Sequence, residues 1–509
     1  MTETIWTLLE RAQARGADLP AILASGRPPL RYGDLIQLVA DHTRVLDGLG
    51  LKRGDRIALV LENGPEAATA FLSVTCTATA APLNPAYRAD EFAFYLADLA
   101  PKTVLVSKGV ASPVREVAAA LAIPLIELVT DPSRPAGQFE MATGRGRAGA
   151  TLRGRVESED DALLLHTSGT TSRPKLVPLT HGNLVASAVS IVRTLGLTPE
   201  DRGFNIMPLF HIHGLVGCVL ATIASGGSLY CAPGFNALKV FSWLEEAMPS
   251  WYSAVPTMHQ AFVARAERNA EALRRLSLRF IRSSSAALTP KVMQALEATF
   301  RCPVIESYGM TEASHQMASN PLPPRPRKPG SVGLPAGPEI RIMGADGQFL
   351  PAGVDGEIVI CGANVTRGYV GNPEANAAAF HDGWFRTGDQ GRVDSDGYLF
   401  ITGRLKELIN RGGEKISPRE IDEVLMDHPA VAQAVAFAVP HDKLGEEIAA
   451  AVVLRDGSSV TEGELRAFVG TRLADFKVPR RVVIVPEIPR GPTGKLQRTG
   501  LAKALGLAE

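Results

Sequence analysis

Residues 166–175 read His-Thr-Ser-Gly-Thr-Thr-Ser-Arg-Pro-Lys, hydroxyl side chains gathered around one glycine and closed by a lysine. A polyphosphate needs backbone N–H groups that approach closely, hydroxyls that rotate onto its oxygens, and a cation to offset its charge. Gly169, the hydroxyls of Thr167, Ser168, Thr170 and Thr171, and Lys175 provide these. The run is not a Walker A loop, because Pro174 stands where the second glycine of that pattern would sit. The apolar residues 162–165 immediately before it predict a strand that ends in the turn.

The elements around this turn must hold it. From residue 55 to about 310, short β-rich runs alternate with helical patterns: 56–61 before 65–80, 103–107 before 114–120, and 229–232 before 237–247. Such alternation predicts parallel α/β layers. Residues 131–161, rich in Gly, Arg, Ser and Pro, read as a mostly loop-like connection, and 321–329 as a second break. After that break, strands with Gly/Asp turns at 339–343, 356–361 and 397–401 predict a small β-subdomain. Beyond Arg404 the rhythm is α+β, with helices over 418–426 and 462–473 and strands over 431–439, 448–454 and 481–486. The fold class read from this is α/β: a large N-terminal domain of layered α/β subdomains plus a small β-subdomain, then a smaller α+β C-terminal domain. The boundary is placed between Leu405 and Lys406, giving domains 1–405 and 406–509.

A chain of 509 residues exceeds what one growing core supports, which agrees with that division. Lys+Arg and Asp+Glu are equal at 53 each, so there is no net field to draw nucleic acid or an acidic membrane surface. Anions must therefore be bound by local sites. The scattered cysteines Cys76, Cys218, Cys231, Cys302 and Cys361 form no C-x-x-C pair and point to neither a zinc site nor a disulfide framework. With no secretory leader pattern and no apolar run long enough to span a bilayer, a cytoplasmic protein is expected.

Further motifs follow in order: Tyr308-Gly-Met-Thr-Glu312, Gly383-Trp-Phe-Arg-Thr-Gly-Asp389, Gly403-Arg-Leu-Lys-Glu407 and Pro489-Arg-Gly-Pro-Thr-Gly-Lys495. With the hydroxyl-rich turn they resemble the adenylate-forming acyl-CoA synthetases over nearly the entire chain. The resemblance implies two half-reactions: a carboxylate attacks the α-phosphorus of MgATP, and the thiol of coenzyme A then displaces AMP. ATP, Mg²⁺ and coenzyme A are thus the implied cofactor and co-substrates, and a small carboxylic acid the implied partner.

Residue by residue, the resemblance assigns Thr167, Ser168, Gly169, Thr170, Thr171 and Lys175 to the phosphates, with Glu312 and Thr171 as magnesium ligands. Glu312 suits a hard cation that takes one or two carboxylates plus phosphate oxygens. Tyr308 would stack on adenine within the nucleotide-binding set Ala286, Glu306, Ser307, Tyr308 and Gly309. Thr311 would reach the α-phosphate, and Asp389 would accept the ribose hydroxyls with Arg404 nearby. Lys495 would be the cation that serves adenylation. Lys406 falls at the hinge position of the family, where rotation would exchange Lys495 for the segment Arg411, Gly412, Gly413, with Lys477 toward a coenzyme A phosphate. Ser172 departs from the family, which has glycine there; the Ser-Arg-Pro-Lys form resembles the oxalate–CoA ligases.

Acid selectivity is read from a polar set. His211 and His213 lie in Pro208-Leu-Phe-His-Ile-His-Gly214, Ser284 and Ser285 follow Arg282 in residues 280–286, and His315 follows Glu312. Fatty-acid and aryl-acid ligases line this region with apolar side chains. A pocket for a dicarboxylic acid must instead carry donors, because an unpartnered buried carboxylate costs several kcal/mol. Oxalate is favoured, with malonate or another short acid as the alternative. Two readings of other classes are a luciferase-like oxygenase, disfavoured by only 6% aromatic residues, and a non-catalytic relative, which should have lost Lys495 or Glu312.

Overall fold

In the computed structural model, residues 3–142, 156–167, 174–490, 496–498 and 500–508 are described. The layered α/β reading holds. A seven-stranded sheet runs in the order Phe139–Ala142, Leu125–Thr130, Thr103–Ser107, Arg56–Val60, Thr79–Pro82, Asp161–Thr167, Lys175–Thr180. Its interior pairs are parallel and both edges antiparallel. A nine-stranded sheet runs Leu334–Pro335, His315–Ser319, Val304–Met310, Phe280–Ser283, Trp251–Ala254, Arg202–Asn205, Ser228–Cys231, Pro20–Leu23, Leu30–Arg31. Its strands from Val304–Met310 through Pro20–Leu23 are parallel.

Two helices lie against both sheets, and their sequences show why. Pro65–Thr75 begins with Pro at its first turn and, apart from Glu66, which pairs with Arg27, is built of small and apolar residues that are buried on all sides. His181–Leu195 starts on a reciprocal Thr180/Asn183 cap and ends at left-handed Gly196. The expected helix over 65–80 is too long. It stops at Thr75, and Thr79–Pro82 enters the sheet as a strand, because side chains buried on every face do not reveal the period.

The expected β-subdomain is an antiparallel sheet of Glu339–Met343, Gly356–Cys361, Trp384–Val393, Phe380–His381 and Leu399–Arg404. Residues from Ile409 onward build a separate sheet with its own two hydrophobic clusters, one around Ile416, Ile421, Leu425, Ala450 and Leu465, the other around Phe437, Ala451 and Ile488. Lys406 is exposed in the turn 405–407, which precedes that sheet. One element has no sequence signal: residues His213–Leu220 form a π-helix, fully buried. Such turns cluster at functional sites.

Candidate active site

Of the residues expected to bind nucleotide and acid, Ser284, Ser285, Ala286, Glu306, Ser307, Tyr308 and Gly309 lie in or just beyond the carboxyl-terminal parts of the parallel strands Phe280–Ser283 and Val304–Met310, the end at which ligands of open α/β sheets bind. Thr167 and Lys175 face each other across an antiparallel pair, so the hydroxyl-rich run joins two adjacent strand ends. Ser168, Gly169, Thr170, Thr171 and Ser172, and also Lys495, lie outside the described residues.

Glu312 occupies a short 3₁₀ turn after the Val304–Met310 strand. It is buried, and its Oε1 accepts from the Tyr369 hydroxyl at 2.9 Å. Desolvation holds its carboxyl above the ordinary range, partly offset by the Tyr369 bond and by the charges of Lys175 and Arg404. The Lys175 ammonium lies 4.4 Å from the centroid of the Tyr369 ring. Tyr369 thereby links Lys175 to Glu312, a contact with no local sequence signal. A buried carboxylate of this kind fits Mg²⁺. Among the described residues there is no group of three or more His, Cys, Asp or Glu that could hold a metal, and Mg²⁺ commonly takes one or two carboxylates with waters and substrate phosphates.

Asp389 is buried opposite Arg404 on the neighbouring strand, with Oδ1 3.0 Å from Arg404 Nε and Oδ2 accepting from Tyr308 OH. A carboxylate has about four lone-pair directions, so capacity for ribose hydroxyls remains. Gly309 is dictated by closeness, since a Cβ there would meet the His315 carbonyl oxygen at 1.6 Å. Ser307 Oγ donates to the Ser283 carbonyl at 3.3 Å, and Ala286 is exposed. Glu306 is fully buried beneath the site. Its Oε1 accepts from Leu288 N–H at 2.9 Å, its Oε2 has no partner, and desolvation raises its pKa to about 7. Its carboxylate thus braces the 284–288 loop. Thr311 shares the 3₁₀ turn with Glu312.

The structure separates the two histidines of the acid set. His211 Nδ1 accepts from the His213 backbone N–H at 3.3 Å, forming part of its own turn. His213 is buried, with Nδ1 3.0 Å from Ser285 Oγ and Nε2 2.6 Å from Ser253 Oγ, and its ring stacks on His315 at 4.8 Å. Ser284 Oγ donates to the Ser307 carbonyl at 3.2 Å. Ser285, Ser314 and His315 all have positive φ, 73°, 50° and 95°. Non-glycine backbone in that region is strained and is retained where surrounding structure over-determines it, often at ligand sites. Behind His315 lies Arg282, which the sequence placed near the acid set without a role.

In the C-terminal body, Gly412 and Gly413, both at positive φ, form the two-residue turn of a hairpin that pairs Arg411 with Glu414. Arg411 Nε is held by Glu447 at 2.7 Å, and Lys477 Nζ by both oxygens of Glu420 at 2.7 and 2.9 Å. Either cation must leave or share its carboxylate to meet a coenzyme A phosphate.

The chain matches the AMP-binding enzyme family over residues 9–370 and the AMP-binding enzyme C-terminal domain over 420–495. It belongs to the AMP-binding enzymes. It is 45% identical to an oxalate–CoA ligase of Arabidopsis thaliana, covering 99% of this chain and 98% of the relative, and 43% identical to an oxalate–CoA ligase of Saccharomyces cerevisiae, covering 89% and 87%. The crystal structure of ATP-bound MatB from Rhodopseudomonas palustris superposes with a TM-score of 0.87 at 29% identity, covering 99% of both chains. The protein is an AMP-forming acyl-CoA ligase that uses ATP, Mg²⁺, coenzyme A and a small carboxylic acid. No helix among the described residues is long and apolar enough to cross a membrane.

Proposed function

We propose that the acid activated is oxalate, and that the chain is an oxalate–CoA ligase with its acid pocket formed by His213, Ser284, Ser285 and His315. The observation that carries this reading is the buried polar cluster: His213 bonded to Ser285 and stacked on His315, where an apolar acyl chain would have to pack. An alkyl tail packed against this cluster would meet polar groups with which it makes no hydrogen bond, whereas a second carboxylate could accept from them. Two relatives named as oxalate–CoA ligases over nearly their full lengths support it.

In the first half-reaction an oxygen of one oxalate carboxylate bonds to the α-phosphorus as the bond to the pyrophosphate oxygen breaks. Lys175 and the hydroxyl-rich turn neutralise phosphate charge, and Lys495 meets the α-phosphate and carboxylate oxygens. Glu312 holds Mg²⁺, which supplies Lewis-acid charge neutralisation when bound. Asp389 and Tyr308 orient the nucleoside. In the second half-reaction the sulfur of coenzyme A bonds to the acyl carbon, AMP leaves with the bonding pair, and the thiol proton is lost.

Two half-reactions in one cleft need different groups at the same atoms, so residues 406–509 act as a swinging domain with Lys406 at the pivot. The exposed turn at 405–407 and the separate cores on either side of it support this. Lys406→Pro, which fixes φ near −65°, is expected to leave adenylation within a few-fold of wild type and to lower thioester formation at least about 10-fold. Single-turnover measurement of each half-reaction checks this, and two unchanged steps would place the hinge elsewhere. The buried, unpaired thiols of Cys76, Cys218, Cys231 and Cys302 suit a reducing compartment, which supports a cytoplasmic location.

The acid assignment is tested by pyrophosphate release with coenzyme A and a panel of acids. Oxalate is expected to lead, malonate to follow, and acetate and hexanoate to trail. His315→Ala should lower the oxalate-to-acetate ratio of kcat/KM. A wild-type preference for hexanoate would overturn the oxalate reading while leaving the ligase assignment intact.

A further inference from the structure

Arg282 is the penultimate residue of the central parallel strand Phe280–Ser283 and is completely buried. Its Nη1 donates to His315 Nε2 at 2.8 Å and its Nη2 to Gln316 Oε1 at 3.0 Å, while its Nε has no partner. Gln316 is itself oriented, its amide nitrogen donating to the Ala336 carbonyl at 2.8 Å and to Thr194 Oγ1 at 3.2 Å, so it presents oxygen and not nitrogen to the guanidinium. Both acceptors of Arg282 are therefore neutral. Among the described residues no carboxylate lies within ion-pair distance of it, and the neighbouring Cys218 thiol is kept protonated by burial, which raises its pKa to about 12. Burial pulls the guanidinium itself down to about 10, which still leaves it a cation at neutral pH.

A buried cation without a carboxylate is costly. The surroundings are nonetheless shaped to keep it. A Cβ on Gly217, in the π-helix, would stand 2.7 Å from His315 Nε2 and 3.1 Å from Arg282 Nη1, so the glycine makes room for this pair. Because a guanidinium only donates, His315 Nε2 must carry its lone pair toward Arg282, and the ring proton sits on Nδ1. The ring is held neutral, in one tautomer, and stacked on His213.

We propose that Arg282 is the specificity-determining cation of the acid pocket: it positions His315 as a neutral Nδ1–H donor and leaves the pocket one positive charge in excess, to be balanced by the second carboxylate of the acid. This rests on the oxalate reading and deepens it. Arg282 acts through His315, as a positioning residue, and through its field. What the pocket selects is therefore a second negative charge, beyond a polar group of the right shape. Malonate satisfies the charge but not the size; oxamate, in which one carboxylate of oxalate is replaced by a neutral amide, satisfies the size but not the charge.

The test compares oxalate with oxamate in pyrophosphate release, for wild type, Arg282→Lys and Arg282→Met. Wild type is expected to prefer oxalate by at least about 100-fold in kcat/KM, the scale expected when a closed site built for a charged group receives a neutral one. Arg282→Met should lower that ratio at least about 10-fold with KM for ATP within about 3-fold of wild type, and Arg282→Lys should keep most of the preference. A merely structural role would depress both acids together and disturb ATP, and an unaltered ratio in Arg282→Met overturns the proposal. If Arg282→Met fails to fold, the wild-type ratio and Arg282→Lys decide: comparable use of oxalate and oxamate by wild type, or loss of the preference in a folded lysine variant, overturns it. Failure of wild type to activate oxalate at all would instead overturn the acid assignment on which the proposal rests.

Discussion

Lys495→Ala is expected to lower acyl-adenylate formation by roughly 10²–10³-fold while leaving the transfer of supplied acyl-AMP to coenzyme A within a few-fold of wild type. The magnitude is that of removing one pre-placed charge donor from a transition state in which negative charge accumulates. The asymmetry follows from the geometry of the reaction. Adenylation brings an anionic carboxylate against a triphosphate, so a compact cation between them acts only while the new O–P bond forms. Thioester formation breaks the acyl–oxygen bond with a sulfur nucleophile and forms no bond to phosphorus, so on the proposed domain alternation it does not need this lysine. Pyrophosphate release measures the first step, and thioester formation from acyl-AMP, with ATP omitted, measures the second. Equal losses in both would refute domain alternation.

The second large effect is expected at Glu312. Glu312→Gln should reduce adenylation by roughly 10²–10³-fold and raise the Mg²⁺ concentration needed for half-maximal rate, because the substitution removes the carboxylate proposed to meet the metal. The fold should not suffer. Gln keeps an Oε1 acceptor for the Tyr369 hydroxyl, and the native carboxyl is held above its ordinary range by desolvation. A carboxyl whose folded pKa exceeds its unfolded one takes up a proton more readily in the folded state. Stability is therefore lost as pH rises from the unfolded value through the folded one. The amide has no such penalty. In EDTA the variant should melt at the same temperature as wild type or higher, with its advantage growing as pH rises above the ordinary carboxylate range. A variant that is inactive and also less stable at pH 8 would make Glu312 a structural residue. An active variant with unchanged Mg²⁺ dependence would remove it from the metal site.

Where chemistry is confined to a short run, it was legible in the chain. Tyr308 through Glu312 is one strand end and turn, so its carboxylate is delivered to the phosphate side by local geometry alone. The strands at Glu339–Met343 and Gly356–Cys361 have one buried and one wetter face or a bounded apolar run, and their limits were visible to the residue. Helix Pro65–Thr75 was overextended because it is buried all round, and burial erases periodicity.

Pairings between distant segments could come only from the tertiary structure. The Asp389 carboxylate meets Tyr308 across a separation of 81 residues, and Glu312 meets Tyr369 across 57. No spacing rule links such positions. His211 and His213 are equivalent as sequence, yet one closes its own turn and the other is buried against Ser253 and Ser285, where a π-helix begins. Arg282 shows the same limit most clearly. In sequence it is one basic residue before three serines; only the parallel pairing of its strand with Val304–Met310, and the return of the chain through His315–Ser319, set its guanidinium against His315 and Gln316. Residue type determined which chemistry this protein has available. Long-range strand pairing decided which charges are left without a counter-charge, since desolvation and Coulomb interaction depend on three-dimensional neighbours and not on order along the chain.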